Sequence, residues 1–149
     1  MLAAVAVIGA ATVGSLYQAG AKSEKNGDSN DAKQERIAWQ PSLAAAKAEA
    51  KRSGKPVFVV FHAQWCGACK MLENETLTDP KVLGEVQKWV PVRIDVDEDK
   101  ASASTYRIQS LPTMIFIKPA GDKGFRFEGA LEADDMLRLL KTAYAKVKE

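Results

Sequence analysis

The two cysteines of this chain stand two residues apart, within the segment Trp65-Cys66-Gly67-Ala68-Cys69-Lys70. An unbroken apolar run, residues 57–61, comes shortly before them and predicts a strand that is buried on both faces. The residues that follow the cysteines predict a helix, so the pair falls at a strand-to-helix junction. A C-x-x-C pair at such a junction is typical of dithiol/disulfide redox chemistry.

Composition excludes several other classes of protein. The 149 residues fit one domain and an appendage, and 46% hydrophobic with 27% charged residues indicates a globular chain. A formal net charge of +2 is too small to indicate binding to nucleic acid or to an anionic membrane. Two cysteines and one histidine cannot supply the usual Cys/His zinc ligands. We therefore expect no metal and no other cofactor.

Residues 1–21 carry no charged side chain, and two interpretations of them stay open. Ala19-Gly20-Ala21 supplies the small-residue cleavage pattern of a signal peptide. Residues 2–21 also just reach the ~20 apolar residues that a membrane anchor needs. No Lys or Arg precedes the apolar stretch, which departs from both patterns. Either alternative places the folded part outside the cytoplasm, in the bacterial periplasm or secreted.

A polar segment separates this leader from the folded part. In residues 22–36, four basic and four acidic side chains alternate with Asn, Gly and Ser. Such a composition buries little apolar surface and predicts a flexible linker. The hydrophobic pattern of a folded domain begins at about Ile37, so we predict one domain over residues 37–149.

The pattern within this domain predicts helices and strands in alternation. Ser42 is placed to cap an Ala-rich helix that stops at Ser53-Gly54, and a strand follows over 57–62. A helix is predicted from near Cys66 to about residue 75, and Thr78 or Asp79 is placed to cap another to about residue 89. The remaining predicted elements are strands over 90–96, 113–118 and 125–128, a short helix over 100–106 and a final helix from about residue 133. This order predicts an α/β sandwich with a mixed sheet.

Four spaced motifs resemble the thioredoxin superfamily. Besides the cysteine segment, Ser110-Leu111-Pro112-Thr113 is similar to its cis-proline loop and Gly129-Ala130-Leu131 to its third active-site loop. Asp95-Val96-Asp97 fits the end of its central strand. The resemblance covers residues 37–149 and implies a three-layer sandwich, a mixed central sheet flanked by helices. The spacing Glu73-x-x-Thr76-x-x-Asp79-Pro80 is further similar to exported thioredoxin-like proteins and to the C-terminal domain of transmembrane thiol:disulfide interchange proteins.

The two cysteines are assigned different tasks. Cys66 is predicted in the first helical turn, where free backbone N–H groups favour an anion and lower a thiol pKa from ~8.5 toward 7 or below. We assign it as the nucleophile. Cys69 lies three residues later on the same helix face and resolves the mixed disulfide. The alternative is that both are structural thiols packed in a core.

Neighbouring residues are assigned to substrate binding. Trp65 offers a flat apolar surface beside the reactive sulfur, with core packing as the alternative. Gly67 and Ala68 set the electrostatics and rigidity between the two sulfurs. The resemblance implies that the Leu111–Pro112 bond is cis and presents the Leu111 backbone to an extended substrate, which can add as a short strand. Gly129 belongs to the third loop of the site.

Two positions depart from the thioredoxin pattern. Val60 stands where thioredoxins usually bury an aspartate that helps remove the proton of the resolving cysteine. Glu73 is the candidate replacement, with an exposed helix carboxylate as the alternative. His62 replaces an aromatic residue, either as a group that titrates near neutral pH or as a packing group. Arg93 is placed either beside this buried site or as a solvated charge at a strand end.

The resemblance implies an extracytoplasmic thiol:disulfide oxidoreductase that reduces protein disulfides through Cys66 and Cys69. Its implied partners are disulfide-containing proteins and a membrane or thioredoxin-type electron donor, and we expect a monomer that binds no nucleic acid. An oxidase or isomerase is the alternative within this class. A non-catalytic thioredoxin-like binding module is the alternative from another class, although such a module has no need of both cysteines.

Overall fold

The computed structural model describes residues 36–121 and 124–148. The predicted leader and all of the predicted linker except Arg36 lie outside the described residues. None of the helices within residues 36–121 and 124–148 combines the length and the apolar character of a membrane span. The described elements are α1 (Leu43–Ser53), β1 (Val57–His62), α2 (Gly67–Met71), a π-helical turn (Leu72–Thr76), α3 (Pro80–Val86), β2 (Val90–Asp95), α4 (Lys100–Thr105), β3 (Thr113–Ile117), β4 (Gly124–Glu128) and α5 (Ala133–Lys148).

The four strands form one mixed sheet in the order β2-β1-β3-β4. Strand β1 pairs in parallel with β2 and antiparallel with β3, and β3 pairs antiparallel with β4. Because β1 has a strand on each side and helices on both faces, every one of its six residues is buried. This position explains the unbroken apolar run, and it places the end of β1, where the cysteine segment begins, in the middle of the sheet.

Alternate residues of β1 enter two separate cores. Phe58 and Val60 face a cluster that contains Leu72 of the π-helical turn and Leu140 of α5. Val57, Val59 and Phe61 face a second cluster that contains Ala46 and Ala50 of α1. Helices therefore cover both faces of the sheet, and the predicted three-layer sandwich with a mixed central sheet is confirmed.

Most predicted element bounds agree with the structure within one or two residues. The Ser42 side chain accepts a hydrogen bond from the Ala45 N–H at 3.1 Å, and Gly54 ends α1 in the left-handed conformation at φ 70°. Of the two predicted caps for α3, Asp79 is the one used, and its Oδ1 accepts from the Lys81 and Val82 N–H groups. Asp99 caps α4 in the same way, and its hydrogen bonds with Ser102 lower the pKa of its carboxyl.

Two helices differ from the prediction. The helix expected to run to about residue 75 ends as an α-helix at Met71 and continues as the π-helical turn. At the end of that turn the Thr76 hydroxyl donates to the Leu131 carbonyl, a contact that sequence spacing does not reveal. Helix α3 ends at Val86 instead of about residue 89, because the following turn carries Trp89 into the core.

Candidate active site

The site is built around a disulfide between Cys66 and Cys69, with their Cα atoms 5.3 Å apart. Cys66 is the N-cap of α2 in an extended conformation, one position before the predicted first turn. Its Sγ accepts a hydrogen bond from the Cys69 N–H at 3.2 Å. A backbone N–H that faces sulfur stabilises negative charge there, so the arrangement suits a thiolate at Cys66 in the reduced protein.

The two sulfur-bearing residues differ in access. Cys66 is 6% exposed and Cys69 is 1% exposed. They form a small apolar cluster with Ala63, and Leu111 packs against it. Gly67 and Ala68, which lie between the cysteines, are both exposed. A partner molecule that approaches this surface therefore meets Cys66, while Cys69 lies behind it.

Trp65 stands on the surface next to Cys66. Its side chain is 71% exposed, so the alternative of core packing is wrong. The indole Nε1–H donates to Asp97 Oδ2 at 2.8 Å, and the Asp97 N–H in turn donates to Asp95 Oδ1 at 2.9 Å. Sequence reasoning missed this role of Asp97, which lies 32 residues from Trp65 along the chain. The exposed ring is thus held in one orientation from its polar edge.

The segment before β3 lies against the cysteine cluster. The Leu111–Pro112 peptide bond is cis. The Pro112 carbonyl accepts from the Gly129 N–H at 2.8 Å, which brings the third predicted loop to the second. Gly129 has φ 108°, a conformation that residues with a side chain rarely adopt. The motifs that carry Cys66, Pro112 and Gly129 are therefore adjacent in the fold.

A polar network ties the Pro112 segment to β4. Ser110 Oγ donates to Glu128 Oε2 at 2.6 Å, and Arg126 Nε donates to Glu128 Oε1 at 2.7 Å. The Ser110 hydrogen bond, together with Arg126, lowers the pKa of the Glu128 carboxyl. Arg126 also donates to the Tyr106 carbonyl at 2.8 Å. Sequence reasoning missed Arg126 and Glu128, although their i, i+2 spacing on a predicted strand placed them on one face.

Behind the disulfide, three polar side chains meet in a row. His62 Nδ1 lies 3.5 Å from Glu73 Oε1, and Glu73 Oε2 lies 3.2 Å from an Arg93 guanidinium nitrogen. The buried Oε1 accepts no hydrogen bond from the described residues. Its contact with His62 is an ion pair only when the imidazole is protonated. The alternative of an exposed Glu73 is wrong, since only 24% of its side chain is exposed. Arg93 lies within β2 beside this group, which is the first of the two placements expected for it.

The row borders a cavity that reaches the resolving cysteine. A cavity of about 120 Å³ is lined by His62, Cys69, Lys70, Glu73 and Arg93, among others. Val60, at the position where thioredoxins bury an aspartate, is fully buried in the apolar core. The ionisable groups near Cys69 thus come from the end of β1, α2, the π-helical turn and β2. No group of three or more side chains suited to a metal ion occurs in residues 36–121 and 124–148.

The fold and this site define a thioredoxin-like protein. The family model for the thioredoxin-like domain matches residues 43–144. The match extends over more than half of the chain, from α1 into α5, and includes both cysteines and the Pro112 segment. The chain belongs to the thioredoxin-like domain family.

The relatives include thiol:disulfide interchange proteins and thioredoxins. The chain is 33% identical over 107 residues to thiol:disulfide interchange protein DsbD 1 of Pseudomonas aeruginosa, a match that covers 68% of this chain and 18% of that protein. The structure is similar to that of a thioredoxin from Thermus thermophilus, with TM-score 0.68 and 29% identity over 76% of this chain and 90% of that one. It is also similar to the oxidised C-terminal domain of Neisseria meningitidis DsbD, with TM-score 0.59 and 26% identity over 71% of this chain and 99% of that one.

Proposed function

We propose that this protein is an extracytoplasmic thiol:disulfide oxidoreductase that reduces disulfides of other proteins. The observation that carries the proposal is the Cys66–Cys69 disulfide at the end of the central strand, with Cys66 outermost and hydrogen-bonded to a backbone N–H. The structural-thiol alternative does not explain this arrangement. Two inert thiols in a core need neither a helix start nor a sulfur beside an exposed tryptophan.

The reaction begins with the reduced dithiol. The Cys66 thiolate attacks one sulfur of a substrate disulfide, and the other substrate sulfur leaves as a thiolate and takes up a proton. Cys69 then loses its proton and attacks Cys66 Sγ. The bond between Cys66 and the substrate breaks, the second substrate thiol is released, and the Cys66–Cys69 disulfide forms. Two electrons pass from the protein to the substrate.

Substrate contacts are assigned to the surface around Cys66. Trp65, Gly67 and Ala68 are exposed beside it, and Leu111, which precedes Pro112, packs against the cysteine cluster. An extended substrate segment can hydrogen-bond to the backbone between these residues as an added strand. Gly129 lies next to this surface, because its N–H donates a hydrogen bond to the Pro112 carbonyl.

The relatives and the sequence support the proposed partners and location. The matched relatives include proteins named for thiol:disulfide interchange, and this chain spans about a fifth of their length. A reductase outside the cytoplasm must be re-reduced, which implies a membrane or thioredoxin-type electron donor. The extracytoplasmic location rests on the apolar residues 1–21, as a cleaved signal peptide or as an anchor. The proposed domain is a monomer over residues 37–149.

The direction of electron flow is tested by equilibrium with glutathione. The full-length protein is incubated at pH 7 with mixtures of reduced and oxidised glutathione, and the fraction of the Cys66–Cys69 disulfide is measured after acid quenching. We expect a potential near that of thioredoxin, ~−270 mV. A value above about −150 mV contradicts a reductase and indicates an oxidase, by comparison with the ~−120 mV of a strong disulfide oxidant.

The contact role of Trp65 is tested through its hydrogen-bond partner. Asp97→Ala removes the acceptor at 2.8 Å and leaves the indole free to change rotamer. We expect a KM for insulin reduction raised about three- to tenfold with kcat nearly unchanged, because the loss of one positioned contact is worth ~1 kcal/mol. Asp97→Asn keeps an acceptor oxygen and serves as the matched control. An unchanged KM in Asp97→Ala contradicts the contact role.

A further inference from the structure

The 106–112 segment, between the end of α4 and the start of β3, carries the backbone to which an extended substrate is proposed to add. It forms neither a helix nor a strand. Within residues 36–121 and 124–148, no backbone group pairs with the Leu111 N–H or with the Leu111 carbonyl. Both groups are available to a substrate strand, so binding depends on what holds this irregular segment in place.

We propose that Arg126 and Glu128 of β4 are positioning residues, which hold the 106–112 segment in the shape that an extended substrate requires. The inference rests on the proposed function and deepens it. Neither residue belongs to the four motifs that carry the thioredoxin resemblance. Both act on the substrate through the segment, without a part in the exchange between the sulfurs.

The alternation of side chains along β4 directs these two residues toward the segment. Phe125 and Phe127 pack against the core cluster that includes Leu140 of α5. Successive side chains of a strand point to opposite faces of the sheet, so Arg126 and Glu128 lie on the other face. There they reach the 106–112 segment through hydrogen bonds.

Arg126 holds the first turn of the segment. Its Nη1 donates to the Tyr106 carbonyl at 2.8 Å, and its Nη2 donates to the Arg107 carbonyl at 3.0 Å. Arg107 has φ 49°, in the left-handed region that residues with a side chain rarely adopt. Two donors of one planar guanidinium therefore stabilise a turn that is unfavourable by itself.

Glu128 holds the centre of the segment. Its Oε2 accepts from Ser110 Oγ at 2.6 Å, while its Oε1 accepts from Arg126 Nε at 2.7 Å. The same contacts lower the pKa of the Glu128 carboxyl, which is therefore ionised at neutral pH. Hydrogen bonds to an ionised acceptor are the stronger kind. Because Ser110 directly precedes Leu111, the carboxylate acts one residue away from the backbone that a substrate would use.

The far end of the segment is held from the end of the same strand. The Gly129 N–H donates to the Pro112 carbonyl at 2.8 Å, so contacts from β4 and its end lie on both sides of Leu111. The Leu111 side chain packs against the cysteine cluster. A shift of the segment would therefore move its free backbone groups relative to Cys66. A binding surface that is already in place costs less to order, so its loosening should raise the KM for an extended substrate.

A small disulfide separates this role from a general effect on the fold. Bis(2-hydroxyethyl) disulfide has no peptide backbone and cannot add as a strand, so Cys66 attacks it without help from the segment. Insulin supplies both a disulfide and a backbone. A positioning role predicts a higher KM for insulin and an unchanged rate with the small disulfide, whereas a distorted active site would affect both substrates.

The test mixes the reduced full-length protein with either substrate at pH 7. The fraction of the Cys66–Cys69 disulfide, measured after acid quenching at several substrate concentrations, gives KM and the limiting rate. Arg126→Lys keeps the positive charge but loses the planar fork that reaches three acceptors. We expect a KM for insulin raised about five- to twentyfold, with the limiting rate and the rate with the small disulfide changed less than about twofold.

Further variants make the result specific. Ser110→Ala removes one hydrogen bond on the surface, so it tests the same role if Arg126→Lys does not fold. We expect Ser110→Ala and Glu128→Ala each to raise the KM for insulin. The double variant should match Glu128→Ala, because both changes break the same bond. Arg52→Lys, in an exposed pair with Glu49 at the end of α1, is the matched control and should leave both substrates unaffected.

The outcomes distinguish the positioning role from the proposed function. An unchanged KM for insulin in the folded variants, or an equal change with both substrates, overturns the role of Arg126 and Glu128. A wild-type chain that reduces neither substrate would instead overturn the proposed function itself.

Discussion

Replacing Cys66 with serine is expected to reduce insulin disulfide reduction by the full-length protein to the uncatalysed rate, a loss of at least ~10³-fold. The serine hydroxyl is close to isosteric with the thiol but stays protonated at neutral pH, so it cannot act as the nucleophile. The hydrogen bond from the Cys69 N–H to position 66 can still form, which leaves the helix start intact. Turbidity from precipitating insulin chains, with dithiothreitol as the electron source, measures the rate.

The matched control is Cys69→Ser, because the two cysteines differ in access. Cys66 is the more exposed of the pair, so Cys69→Ser keeps the attacking sulfur and loses only the resolving one. This variant should accumulate an adduct on Cys66 that mass spectrometry detects, whereas Cys66→Ser should accumulate none. If the wild type and Cys66→Ser both run at the uncatalysed rate, a non-catalytic binding module remains as the function. An adduct on Cys69 in Cys66→Ser would reverse the assignment of the two roles.

Elements with a strong local pattern were predictable from the sequence. The bounds of β1 at Val57–His62 agree with the prediction, because a central strand covered on both faces must be apolar throughout. Helix α1 was equally clear, since Ser42 and Gly54 mark its two ends with known capping chemistry. The mixed sheet followed from the order of the elements. For β1 and α1 the signal lies within a few neighbouring residues.

Features that depend on distant contacts were not predictable. The π-helical turn ends where Thr76 bonds to the Leu131 carbonyl, 55 residues away. The orientation of Trp65 depends on Asp97, and the position of Arg93 beside Glu73 depends on the pairing of β1 with β2. Periodicity placed each of these residues on an element but carried no information about its partner. Side-chain pairing across elements is set by the packed fold, which the local pattern does not encode.

The site departs from the thioredoxin pattern at Val60. With Val60 in the core, the acidic function behind the cysteines is absent from the middle of β1. The structure instead brings His62 from the end of the same strand to Glu73 of the π-helical turn. His62 follows Val60 by two residues on the same face of β1, so the polar pair lies at the end of the strand, beside the apolar cluster instead of inside it. This arrangement avoids burying an isolated carboxylate, which is costly without a partner.

Phe116→Ala is expected to produce the largest loss of stability among single core substitutions considered for this chain. Phe116 is fully buried on β3, and its ring stacks on Phe58 of β1 at 5.3 Å between centroids. It also contacts Trp89 at 5.1 Å and Phe125 of β4 at 6.0 Å. Truncation of such a residue costs ~3–5 kcal/mol, through lost burial and through the cavity that remains. That is a large fraction of the ~5–15 kcal/mol by which domains are typically stable.

The register of the sheet explains why the loss should be large. Phe58, Phe116 and Phe125 are direct partners across three adjacent strands, so their rings form one row on the face that α3 and α5 cover. Removing the central ring takes away the one ring that both neighbours contact. Phe125→Ala removes an end of the same row, where the ring is only partly buried, and should cost clearly less. Urea unfolding of the oxidised proteins measures both values, and equal losses at the two positions would contradict the argument that the centre of this row holds the sheet to its helices.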